Sequence, residues 1–289
     1  MILVTGASGT VGREVLKEVA KSGAKHCAMY RSEREAKKAP QDTQAVVADF
    51  AEKNTLKAAL RGVDSIYIVC SPVPELVQLE GNVIDACVET GVKQVVLNSA
   101  LGAADYDQSF PSWHRKVEDR LRLTALSWTI LRPNSFHQNT TAYYAPTIRT
   151  QGAFYSSLGN SRMSYVDVRD VAGVAAKILS GGEHSGKIYE LNGPQALTSN
   201  ELADKIAKAS GRAVQYVDIP MEAQRKSMLE MGMPEWQVTA LLDLQQYYVN
   251  GKGGSLDNLL QHLLGRPPIT MDEFLKENAA AFREQAANA

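Results

Sequence analysis

The sequence predicts an α/β fold: a doubly wound parallel sheet joined to a smaller, mostly helical C-terminal lobe. Three observations predict it. Short β-rich runs alternate with helical patterns through the first two-thirds of the chain. The early runs are near-continuously apolar, as in strands covered on both faces. The final third loses the alternation and reads as helices with one short strand. Strand–helix alternation of this kind implies right-handed βαβ units, which build a parallel sheet.

The elements follow in order. Strands are expected over residues 1–4, 24–30, 45–48, 65–70, 94–97 and 128–131, with a later one over 187–191. The first helix, 11–21, repeats apolar residues at Val11, Val15, Leu16 and Val19. Residues 76–90 do so at Leu76, Leu79, Val83, Ile84 and Cys87. Both are stripes of i, i+3, i+4 spacing, one face of a helix. Between them, Arg31, Glu33, Arg34, Glu35, Lys37 and Lys38 are mixed in sign and read as a solvated helix face. Thr198-Ser199-Asn200-Glu201 has the form of a capping box, opening a helix over 201–210 that Gly211 stops. A short strand over 214–219 ends at Pro220. Helices are then expected over 221–231, 234–248, 256–264 and 271–287.

Composition excludes several classes. The 289 residues are 44% hydrophobic and 22% charged, ordinary globular usage. Lys and Arg number 31 and Asp and Glu 32, a net charge of -1. That balance argues against nucleic-acid binding, which phosphate neutralisation dominates. No apolar run approaches the ~20 residues that span a bilayer, and the first residues lack a signal-peptide pattern. Cys27, Cys70 and Cys87 are odd in number, without metal-ligand spacing and in apolar contexts, as expected of buried thiols in a reducing cytoplasm. No metal is expected, and His26, His184 and His262 are scattered.

The sharpest signal is Thr5-Gly6-Ala7-Ser8-Gly9-Thr10-Val11-Gly12, directly after the first strand and at the start of the first helix. In that context Gly6 permits a tight turn, Gly9 lets backbone approach a pyrophosphate, and Gly12 lets helix and strand pack closely. Amides of Ser8, Gly9, Thr10 and Val11 at the helix start then face the anion. The sheet is therefore expected to be of the Rossmann type. The second strand closes at Tyr30-Arg31-Ser32, where a carboxylate would take the 2′-hydroxyl of NAD and an arginine suits the 2′-phosphate of NADP. Arg31 favours NADP(H) over NAD(H). Ligands in such sheets lie beyond the carboxyl ends of the strands, so Asp49-Phe50, Ser71-Pro72, Ser99 and Pro133-Asn134 are expected to border the cofactor. The domains expected are 1–135, the NAD(P)-binding domain with its sheet completed by 187–192, and 136–289, the smaller substrate or partner lobe.

These residues resemble the short-chain dehydrogenase/reductase superfamily in its atypical NmrA-like branch. The resemblance also rests on Thr129-Ile130-Leu131-Arg132-Pro133-Asn134, Tyr165-Val166-Asp167-Val168-Arg169-Asp170-Val171-Ala172, Gly232-Met233-Pro234, Gly265-Arg266-Pro267-Pro268 and Glu273-Phe274. It implies NADP binding, with reduction of quinones, triphenylmethane or azo dyes in some members and a redox-sensing regulatory role in others. One departure matters. Where the wider superfamily carries Tyr-x-x-x-Lys, the matching stretch is Phe110-Pro111-Ser112-Trp113-His114. Phe110 has no proton to give, so alcohol–ketone chemistry and sugar epimerisation are disfavoured.

Hydride transfer first needs a positioned acceptor. A quinone or cationic dye needs little help from an acid, and such acceptors suit a site with Phe110 and His114. His114 is the candidate for donating a proton, orienting a ribose or polarising the acceptor, and Ser99 for a hydrogen bond. Phe136 and His137 are expected to line the acceptor pocket. Tyr143, Tyr144, Trp236, Tyr247 and Tyr248 read as core. The expectation is an NADPH-dependent reductase of a small aromatic or quinone-like acceptor, cytoplasmic and compatible with a homodimer. The alternatives are a non-catalytic NADP(H) sensor with a protein partner and, more weakly, a nucleoside-diphosphate-sugar enzyme.

Overall fold

The apolar runs of the first half pair side by side, all in one direction. The computed structural model describes residues 1–283, and their contacts divide into two compact units. The first unit comprises Met1–Asp105, Pro111–Pro133 and Val168–Leu191. In chain order its first elements are β1 (Ile2–Val4), α1 (Thr10–Lys21), β2 (His26–Tyr30), α2 (Glu33–Ala36), β3 (Gln44–Val47), α3 (Lys53–Ala59) and β4 (Ser65–Ile68). Next come α4 (Leu76–Thr90), β5 (Gln94–Asn98), α5 (Ser109–Arg122), which belongs to this unit from Pro111 onward, and β6 (Ser127–Pro133). After α6 (Ala145–Gln151) and β7 (Ala153–Ser156), which lie in the second unit, α7 (Val168–Leu179) and β8 (Lys187–Leu191) complete the first.

The sheet order is β3-β2-β1-β4-β5-β6-β8, parallel throughout. Strand order reverses beside β1, which pairs with both β2 and β4, Leu3 lying opposite Cys27 and Ile66. That is the switch point at which such sheets open a crevice for ligands. One face of the sheet packs on α3, α4 and α5 through a core that includes Leu3, Leu56, Leu60, Ile66, Ile68, Ile84, Leu97 and Leu121, all buried. On the other side α1 and α7 pack against each other. The strand expected over 45–48 is shifted one residue, and it is not covered on both faces. Gln44, Ala45 and Val47 are exposed, because β3 is a sheet edge with a single neighbour.

Helix α7 lies in the sheet-bearing unit rather than with the smaller lobe. Its apolar face, Val171, Val174, Ala175 and Ile178, is buried there, and its neighbours include α1, β4, β5 and β6. The boundary expected at residue 135, with the sheet completed by 187–192, brings β8 back to the sheet but leaves out α7, which returns to this unit just ahead of that strand.

The second unit comprises Tyr106–Phe110, Asn134–Asp167 and Asn192–Ala289, of which residues through 283 are described. After α6 and β7 it holds α8 (Ser199–Ser210), β9 (Gln215–Asp218), α9 (Met221–Glu230), α10 (Glu235–Tyr247), α11 (Leu259–Leu264) and α12 (Met271–Glu277). Strands β7 and β9 pair in parallel. The capping box is formed as expected: the Glu201 amide donates to the Thr198 hydroxyl and the Thr198 amide to the Glu201 carboxylate. Tyr106–Phe110 is held within this unit by the Tyr106 ring against Tyr247, 5.3 Å between centroids, and by the Ser109 hydroxyl donating to Asp243. The last expected helix is shorter than 271–287. The Asn278 side chain donates to the Phe274 carbonyl at 2.8 Å, and a 3₁₀ turn, Ala279–Phe282, follows. Residues 284–287 of that expectation lie outside the described residues. Helix α11 begins three residues later than expected, since the Asp257 side chain accepts the Leu259 amide just ahead of it.

Candidate functional site

The switch point brings together the ends of β1, β2, β3 and β4. Gly6 follows β1 by two residues at φ +58, the left-handed region that glycine tolerates. A Cβ there would lie 2.7 Å from Val69 Cγ1. A Cβ on Gly12 would lie 2.3 Å from the Gly6 carbonyl oxygen and 2.6 Å from that of Thr5. Gly12 is thus the closest backbone approach of α1 to the turn. Gly9 closes the turn by donating to Gly6 at 2.8 Å, and it stands as the N-cap of α1 with no side chain capping the helix. The leading amides therefore have no capping side chain, the arrangement an anion fits. Ser8 and Thr10 are exposed at this turn and Val11 is buried.

Thr5 clamps the turn to β4. Its hydroxyl accepts from the Val69 amide at 2.9 Å and donates to the Val69 carbonyl at 3.3 Å. Arg31 follows β2, exposed, and pairs with neither Glu33 nor Glu35 among the described residues. Asp49 follows β3 and turns the chain by accepting the Ala51 amide at 2.9 Å. Phe50 is half-buried, and its carbonyl accepts from Asn82 of α4 at 2.9 Å. Ser71 and Pro72 are exposed beyond β4. The Cys70 thiol shows how closely these ends converge. It is pushed up to about 12, first by burial and next by Glu80; Arg31 acts to lower it and Asp49 to raise it.

Ser99 and Arg132 stand elsewhere in the first unit, in a buried network. Glu118 of α5 takes both arms of Arg132, Nε at 2.9 Å and Nη2 at 2.5 Å, and accepts from the Ser99 hydroxyl at 2.5 Å. The Ser99 proton is committed there, so the serine expected to add a hydrogen bond to the acceptor offers only lone pairs. The network instead ties the ends of β5 and β6 to α5. Pro133, buried, reinforces it through its carbonyl, which accepts the Leu101 amide at 3.0 Å.

His114 lies in the same helix and is 4% exposed. Burial lowers its pKa to about 4, so at neutral pH the ring is neutral. This corrects the expectation of a proton donor titrating near neutrality: a neutral imidazole hydrogen-bonds through one N–H and is a weak acid. Phe110, one turn earlier on α5, is half-buried.

The remaining candidates lie in the second unit. Asn134 is buried and its amide is fully used: it donates to Asn192 at 3.0 Å and to the Gly253 carbonyl at 2.9 Å, and accepts the Ser135 amide at 2.8 Å. That geometry braces the loops of this unit and leaves no amide hydrogen for a cofactor. Phe136 is half-buried and bridges to Val166. His137 is buried, with Nδ1 3.6 Å from the buried Asp167 carboxylate and its ring beside Phe274.

Sequence reading passed over Asn82, Glu80 and Glu118. The signal for Glu80 was present: it falls between Leu76 and Ile84 on the apolar stripe of α4, and a carboxylate at that register is a buried one. Among the described residues no group of three or more His, Cys, Asp or Glu could hold a metal ion, and no helix is long and apolar enough to cross a membrane.

Comparison with known proteins gives this geometry a family. The chain is 35% identical to an NAD(P)H azoreductase of Xenophilus azovorans over 98% of its own length and 99% of that protein's. A crystal structure of an NADPH-dependent quinone oxidoreductase from Escherichia coli, complexed with NADPH, superposes with a TM-score of 0.89 at 28% identity, covering 96% of this chain and 99% of that one. A triphenylmethane reductase of Citrobacter sp. shares the fold at a TM-score of 0.87 and 24% identity, covering 96% and 99%. The model of the NmrA-like family matches residues 1–275, and this chain belongs to that family.

Proposed function

We propose that this chain is an NADPH-dependent oxidoreductase that passes hydride to a small aromatic or quinone-like acceptor. The observation that carries the reading is the cradle at Gly6–Gly12. Two glycines there stand where a Cβ would strike backbone or the Val69 side chain, at a helix start that no side chain caps. Such a concave, amide-lined turn fits a diphosphate. The azoreductase and quinone oxidoreductase similarities support the same reading.

When bound, reduced nicotinamide supplies the hydride. The amides of Ser8, Gly9, Thr10 and Val11 hold the diphosphate, and Arg31 meets the 2′-phosphate. Asp49, and Phe50 whose carbonyl Asn82 holds, border the adenine, with Ser71 and Pro72 beyond β4. Pro133, at the end of β6, would border the cofactor. His114, neutral, orients or polarises through an N–H. With phenylalanine at 110 there is no phenol to protonate an alkoxide. Acceptors whose reduced forms are stable anions or neutral leuco compounds therefore suit the site better than simple ketones. The protein is read as cytoplasmic and compatible with a homodimer.

The test is oxidation of NADPH, followed by its absorbance, against a panel of quinones, azo dyes and triphenylmethane dyes. Turnover with at least one class is expected. Tight NADPH binding without turnover of any acceptor would overturn the enzymatic reading, and no binding of either coenzyme would overturn the cofactor reading.

A further inference from the structure

We infer that Glu35 sets the balance between the two coenzymes, admitting NADH to a site that Arg31 by itself would reserve for NADPH. The inference rests on the reading of Gly6–Gly12 as the dinucleotide cradle.

Two hydroxyls and one carboxylate carry it. Ser8 belongs to the glycine-rich turn and Ser32 to the close of β2. Ser8 Oγ donates to Glu35 Oε1 and Ser32 Oγ to Glu35 Oε2, each at 3.4 Å. The Glu35 amide donates in turn to Ser32 Oγ at 3.3 Å, so Ser32 caps the short helix and fixes the backbone from which Glu35 projects. One carboxylate therefore spans the two segments between which an adenine ribose lies when its diphosphate occupies the start of α1.

Within its charged run, Glu35 is distinct. Arg31, Glu33, Arg34, Lys37 and Lys38 are exposed, whereas Glu35 is half-buried against the turn. Among the described residues it forms no ion pair, and its carboxylate contacts are the two serine hydroxyls. A carboxylate in this place acts differently on the two coenzymes. It accepts a hydrogen bond from a ribose 2′-hydroxyl, and it repels a 2′-phosphate. Arg31 does the reverse. The site thus holds one group favouring each coenzyme, and its selectivity is their difference rather than the property of Arg31.

Binding of NADPH and of NADH is measured for the wild type and for Glu35→Gln by nicotinamide fluorescence, with kcat/KM determined on one quinone. Glutamine keeps the shape and an oxygen for the serines but removes the charge. A unit charge a few ångströms from a phosphate at a protein surface is worth about a tenfold change in affinity. NADPH binding is expected to tighten about that much while NADH binding stays level or weakens, so the coenzyme ratio moves about tenfold or more toward NADPH. Equal changes for both coenzymes, or none, would overturn the inference while leaving the cofactor reading intact. So would an equal shift from Glu33→Gln, which removes a charge of the same sign from the exposed side of the same helix. Failure of the wild type to bind either coenzyme defeats the cofactor reading and the inference with it.

Discussion

Replacing Glu80 by glutamine should abolish a pH dependence of stability that a single buried carboxyl imposes. Glu80 lies in α4 at 0% exposure, and no side chain among the described residues hydrogen-bonds its carboxyl oxygens. Burial raises its pKa from 4.5 to about 8, against a pull downward from the Cys70 amide. Its electrostatic neighbours Tyr67 and Cys70 are acids whose own pKa values are raised, so no cation offsets the burial. In the unfolded chain the group returns to its ordinary value. Between about pH 4.5 and pH 8 the folded chain therefore holds one proton more than the unfolded chain. Folding takes up that proton, so stability from this group is greatest at the acid end and falls as pH rises. The slope is ~1.4 kcal/mol per pH unit, or at most ~5 kcal/mol across the window. Urea denaturation of wild type and Glu80→Gln at steps from about pH 5 to pH 8 measures it. The advantage of the variant should grow by ~1.4 kcal/mol for each unit of pH. The packing of the glutamine amide does not titrate, so it shifts the curves without changing their relative slope. Parallel stability–pH curves for the two proteins would refute the reasoning.

Three further outcomes follow from the geometry. Gly12→Ala should abolish coenzyme binding and lower the melting temperature, because its Cβ would stand 2.3 Å from the Gly6 carbonyl oxygen; unchanged NADPH affinity by calorimetry would show that the turn relaxes freely. Glu118→Leu should destabilise the fold by ~3–5 kcal/mol by leaving buried Arg132 with half-exposed Glu190 alone, while Glu118→Leu with Arg132→Met recovers most of the loss, and equal denaturation midpoints for the single and double variants would refute it. With burial holding the His114 pKa at about 4, acceptor reduction should show no inflection from this ring between about pH 6 and pH 8, and a step near neutrality that disappears in His114→Asn would overturn that assignment.

How far the sequence could be read depended on the range of the interactions involved. The glycine turn was legible because its geometry is local: a strand, a tight turn and a helix start lie within a dozen residues. The capping box at Thr198 was legible for the same reason, its bonds spanning three residues. The buried stripe of α4 was legible as a period, but the reading followed its apolar members and missed the carboxylate among them. Asn134 illustrates the opposite case. Its position after β6 suggested a cofactor contact, yet its amide is consumed by Asn192 and Gly253, 58 and 119 residues away in sequence.

By itself the sequence determined the seven strands of the parallel sheet, the glycine turn and the arginine beyond β2, since each follows from residue type, backbone geometry or periodicity over a few residues. Only the tertiary structure decided which polar groups face one another. Burial neutralises His114, Glu118 occupies the Ser99 proton, and the carboxylate of Glu35 meets a serine 27 residues earlier in the chain. A side chain's chemistry depends on the dielectric and the partners around it, and distant segments supply both.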